Sequence, residues 1–88
     1  MNKNGFVIAN EHAEYLHYFS CDEGIETLGW TLTPMLAMVF PSRSKCEKVI
    51  RRIHDGKYSL WLLSIVETKT QVIVGCSDRV QPPWFANL

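Results

Sequence analysis

Apolar and polar positions alternate with the period of a strand over 5–10 and again over 15–20, and the polar stretch 11–14 between them predicts a β-hairpin. In the second arm Tyr15, His17 and Phe19 share one face and Leu16, Tyr18 and Ser20 the other, so alternation alone assigns no inner face. Residues 21–29 read as an acidic loop carrying Asp22, Glu23 and Glu26, with glycines at Gly24 and Gly29. A short third strand is expected over 30–33, and Pro34 suits the first turn of a brief helical piece. The run 38–40 is apolar again, and Pro41 breaks it.

The pattern then changes period. Cys46, Val49, Ile50 and Ile53 fall at i, i+3, i+4 and i+7, the single apolar stripe of an amphipathic helix over 43–54. Ser42 or Ser44 can cap it, Ser44 with Glu47 fits a capping box, and Gly56 supplies a left-handed stop. Residues 58–66 are rich in aromatic and β-branched residues and strongly apolar, which predicts a central strand buried on much of both faces. After a polar break at 67–69, residues 70–76 form the second arm of another hairpin. Pro82 and Pro83 keep 77–88 from extending the middle of a sheet. The expected fold is α+β: an antiparallel sheet of four to five strands with one main helix packed on one face. Residues 1–76 form the single domain, and 77–88 form a C-terminal tail packed on it or used for association. A charge at Ile50, on the predicted stripe, is expected to cost several kcal/mol.

Composition narrows the class. At 88 residues and 47% hydrophobic, the chain can bury one small core and is too apolar for intrinsic disorder. Its longest apolar runs, such as 35–40, are too short to cross a bilayer, and no signal-peptide h-region follows Met1. Three widely spaced cysteines, Cys21, Cys46 and Cys76, make a poor disulfide framework and fit a reducing, cytoplasmic setting. There is no C-x-x-C, and His12, His17 and His54 lack zinc-ligand spacing, so no metal is expected.

Catalytic signals are equally sparse. The sequence has no phosphate-binding, dinucleotide or nucleophile-elbow glycine motif, and no cofactor is expected. Cys21 precedes two acids, a poor setting for a nucleophilic thiolate, and Cys46 lies on the apolar stripe. The acids of the 21–29 loop sit together rather than across a cleft, unlike an acid-base pair. The protein is therefore expected not to be an enzyme, a hydrolase using Cys21 or His17 being the minor alternative.

Charge is more informative than its zero total. Residues 1–30 carry a net −4 and residues 43–55 a net +3, which predicts a bipolar molecule. Lys45, Lys48 and Arg52, with Arg51 beside them, give the helix a basic outer face suited to phosphates or to an acidic protein patch. Asp22, Glu23 and Glu26 could imitate a run of phosphates and engage a basic groove. Trp84 and Phe85 in the tail offer apolar surface either to the domain's own open sheet face or to a partner. A monomer is expected, with a homodimer through the tail as the alternative.

The string Phe6-Val7-Ile8-x-Asn10, then Tyr15-Leu16, Trp30, Ala37-x-x-Phe40-x-Ser42 and a short helix reaching Val49-Ile50 resembles small accessory proteins of bacteriophages and prophages. The resemblance spans 6–66. It departs at Cys46, where that pattern has alanine, and leaves 70–88 outside. It implies a host-manipulating or anti-defence protein that works by binding, and it carries over no catalytic residue. The expected function is thus a non-enzymatic phage or mobile-element protein that binds and inhibits a host protein complex, an anti-CRISPR acting on a CRISPR effector among the activities implied. The competing reading is a small nucleic-acid-binding module using the basic face of the 43–54 helix.

Overall fold

The computed structural model describes residues 4–53 and 59–76. In chain order it contains β1 (Asn4–Asn10), β2 (Tyr15–Asp22), β3 (Ile25–Thr31), a 3-10 turn (Pro34–Leu36), α1 (Arg43–Ile53), β4 (Leu60–Glu67) and β5 (Val72–Cys76). The strands form one antiparallel five-stranded sheet in the order β3-β2-β1-β4-β5. The α+β expectation holds with five strands. The strand expected to be central, β4, is interior but lies one place from the middle, and β1 is the central strand. β1 pairs with β4 along its whole length, from Asn4 opposite Val66 to Asn10 opposite Leu60. Val7, Ile8 and Ala9 are successive and fully buried, as a strand covered on both faces requires.

Each face of the sheet has its own core. On the helix side Ile8, Leu16, Phe40 and Leu62 meet Cys46 and Ile53 of α1, with Val49 and Ile50 packed against them. On the far side Val7, Ala9, Tyr15, Leu63 and Ile65 are covered by Ala37, with Val72 and Val74 at the margin. Burial there raises the Tyr15 hydroxyl pKa above its ordinary 10.0. The ambiguous alternation of β2 has a physical cause: the register with β3 shifts between Leu16 and Tyr18, so His17 is the extra residue of a β-bulge. The bulge resets the pleat and lets Leu16 and Phe19, of opposite parity in sequence, pack into the same core.

β1 and β2 pair only next to their turn, at Ala9 opposite Tyr15. Beyond it they part, and residues 38–40 fill the gap by main-chain bonds to both strands. The Met38 N–H donates to the Leu16 carbonyl at 2.7 Å, while Phe6 and Phe40 exchange two bonds at 2.9 and 2.8 Å. The turn itself is organised by Asn10, a buried polar residue. Its Oδ1 accepts the N–H groups of His12 (2.9 Å) and Glu14 (3.1 Å), and its Nδ2 donates to Glu14 Oε1 at 3.0 Å. Asn10→Ala should therefore strand two turn N–H groups and cost about 2 to 3 kcal/mol, read as a fall in the urea midpoint with unchanged slope.

Helix α1 starts one residue after its cap. Ser42 Oγ accepts the Lys45 N–H at 3.2 Å, and the Ser42 carbonyl accepts the Cys46 N–H. The expected Ser44–Glu47 capping box is not the one used, because Ser44 lies inside the helix and Glu47 pairs instead with Arg43 one turn back. The Gly56 stop, His54 and the whole 77–88 tail, including Trp84 and Phe85, lie outside the described residues.

Candidate functional site

The acidic stretch expected as a loop over 21–29 is a β-ribbon. β2 and β3 run as a ladder to Asp22 opposite Ile25, joined by Glu23 and Gly24 alone. Both have positive φ, 52° and 79°, the signature of a two-residue type I′ turn whose twist matches its strands. Glu23-Gly24 thus plays the part commonly taken by Asn-Gly or Asp-Gly, and the charges disguised it as a loop. Every residue over 20–27 is exposed, so the ribbon end carries Asp22 and Glu23 into solvent on a stiff support.

The ribbon's two faces differ. Towards the helix, Cys21 and Glu26 stand opposite one another, and Arg52 of α1 reaches both. Its Nη2 donates to Cys21 Sγ at 3.0 Å, and its Nε lies 3.9 Å from Glu26 Oε1. The acidic and basic halves expected to form separate poles therefore meet here, because β3 folds back beside the helix end. On the far face the Tyr18 ring lies across Gly29, followed by Ile25 next to the tip. His17, the bulge residue, donates its Nδ1–H to the Leu36 carbonyl and ties the ribbon to the 3-10 turn. On this face Tyr18 and Ile25 are 47% and 69% exposed, and the 3-10 turn adds the exposed Leu36 at the ribbon's base, an apolar strip beside the acids. Leu32 instead follows β3 at the end away from the acids, and Met35 lies against the β4–β5 turn at 67–72. Sequence reading passed over Ile25 and Leu36. The available signal was an apolar triplet around Pro34 in a stretch too short to form a core element of its own.

The predicted basic face of α1 is present but partly engaged. Glu47 lies between Arg43 at 3.0 Å and Arg51 at 3.9 Å, Arg52 faces Glu26, and Lys45 and Lys48 are exposed. Exposed pairs of this kind add little stability, but they set the local potential. Between α1 and β4 a groove of about 300 Å³ has an apolar floor of Ile50, Leu60 and Leu62 and a rim of Glu47 and Arg51. Among the described residues no three His, Cys, Asp or Glu side chains come together as a metal-holding group, and no helix is long and apolar enough to cross a membrane. Of the predicted site residues, Glu26 meets Arg52, Asp22 and Glu23 lie at the exposed ribbon tip, Arg51 lies by Glu47, Lys45 and Lys48 are exposed on α1, and Trp84 and Phe85 lie outside the described residues. No protein-family model, no curated protein and no solved structure matches this chain.

Proposed function

We propose that this protein acts by binding another protein through the acid-tipped β2–β3 ribbon and its apolar strip, without catalysing a reaction itself. The observation that carries the reading is the ribbon's construction. A type I′ turn holds Asp22 and Glu23 in solvent, while Ile25, Tyr18 and Leu36 expose apolar surface on one side. Aromatic and aliphatic anchors beside charges of one sign suit a partner groove that is basic with apolar walls, and a stiff hairpin enters such a groove at low entropic cost. Basic grooves are what nucleic-acid-handling proteins present to phosphates. Together with the resemblance to phage accessory proteins, this makes inhibition of a host nucleic-acid-handling complex, a CRISPR effector among them, the function we assign.

The nucleic-acid-binding alternative is less well supported, because Arg43, Arg51 and Arg52 already face Glu47 or Glu26 and the chain has no net positive charge. The two readings part in one experiment. Asp22→Lys with Glu23→Lys should leave folding intact, since both side chains are exposed, and should slow association with a host complex captured from lysate by about tenfold or more, as added salt should for the wild type. Retardation of random duplex or single-stranded DNA or RNA at low salt, abolished by Lys45→Glu with Lys48→Glu, would instead establish the nucleic-acid reading and overturn ours.

A further inference from the structure

The two edges of the sheet are chemically unlike, and the difference concerns β5. The Thr68 N–H donates to the Gln71 carbonyl at 2.8 Å and closes the β4–β5 hairpin. By antiparallel alternation, Ile73 opposite Val66 and Gly75 opposite Ser64 then turn their main-chain groups towards β4, while those of Val72, Val74 and Cys76 point outward. Natural edge strands are usually guarded by charge, proline or a bulge. Residues 70–76 contain neither charge nor proline, and the register with β4 runs without a shift. The opposite edge, β3, carries Glu26 and ends beside Asp22 and Glu23, so two copies meeting there would oppose like charges.

We propose that β5 is a dimerisation edge, pairing antiparallel with β5 of a second copy to join two five-stranded sheets across a two-fold axis. The strand is complementary to itself. With Val74 on the axis, Val72 of one copy faces Cys76 of the other, and every outward group finds a partner, about six main-chain hydrogen bonds in all. Side chains support the same register. Ile73 and Val66 are 48% and 41% exposed on the helix side of β5 and β4, so the seam is flanked by apolar surface. Across the axis the two Ile73 side chains become diagonal neighbours about 7–8 Å apart, within reach of one another. A chain of zero formal net charge adds little long-range repulsion to oppose association.

Sedimentation velocity of the full chain from micromolar to sub-millimolar concentration tests this, read together with amide hydrogen exchange. The expected result is a concentration-dependent species of twice 10.1 kDa, with the Val72 and Val74 amides protected only where the dimer is populated. Ile73→Lys sets two ammonium groups across the seam without touching the backbone, and Val74→Pro removes the donor on the axis at a position where an edge tolerates proline. Each should weaken dimerisation at least about tenfold with unchanged far-UV circular dichroism. Ile73→Lys decides the matter if Val74→Pro disturbs the fold. A wild type that stays monomeric throughout, or a dimer that survives Ile73→Lys with Val72 and Val74 exchanging freely, overturns the proposal.

Discussion

Gly5→Ala should remove about 3 to 5 kcal/mol of stability, a large share of what a small domain holds, although it adds a single methyl group at a strand position. A Cβ there would lie 2.4 Å from the Phe40 carbonyl oxygen and 2.9 Å from Val39 Cγ1. The first of these atoms cannot step aside, because it accepts the Phe6 N–H at 2.9 Å while the Phe40 N–H returns to the Phe6 carbonyl. Moving it breaks the bridge that holds residues 38–40 against β1, and it pulls the buried Phe40 ring from the helix-side core. Two main-chain bonds at about 1 kcal/mol each, with part of the Phe40 burial, sum to about 3 to 5 kcal/mol. Small domains hold only about 5 to 15 kcal/mol in total. Gly24→Asn is the control: nothing lies within 4 Å of a Cβ there, and asparagine accepts the positive φ of the turn. Urea unfolding of both variants checks the prediction, and a Gly5→Ala midpoint close to that of Gly24→Asn would mean that residues 38–40 do not seat against β1.

What could be read from the sequence was whatever repeats with a fixed period. The stripe Cys46, Val49, Ile50 and Ile53 gave the helix and its packing face, and the apolar, β-branched and aromatic richness of 58–66 gave β4. Features made by one residue's particular contacts, rather than by a repeat, were invisible. His17 breaks the period of β2 by one, and only pairing with β3 shows which side of the break is inner. Asn10 reads as the polar end of a strand until its amide is seen holding the turn. Gly5 looks like a weak strand residue because the chain that crowds it arrives from far along the sequence. The candidate site divides the same way. Its acids were legible as a cluster, but the charged Glu23-Gly24 turn disguised the local ribbon that carries them, and the Arg52 contact joins segments far apart in the chain.

Ile8→Asp and Ile50→Asp should differ by several kcal/mol, although both place a carboxylate at an apolar position of the same core. Ile8 is fully buried on the central strand, packed among Leu16, Phe40, Cys46, Ile53 and Leu62, where an aspartate must either ionise in an apolar site or remain neutral and poorly bonded. The expected cost exceeds about 4 kcal/mol, a large fraction of a small domain's stability. Ile50 occupies an equivalent place on the helical stripe, and its periodicity alone predicts a comparable penalty. The sheet removes the equivalence. α1 packs chiefly over β1, so the flank of the helix facing β4 is left beside an open groove, with Ile50 half-buried in its wall next to Arg51. A carboxylate at 50 can reach water and lie near a guanidinium, and its cost should fall to about 1 to 2 kcal/mol. Paired urea midpoints measure the difference directly. Equal losses would mean that the groove between α1 and β4 is closed in solution, and that the stripe is covered as fully along Ile50 as along Cys46.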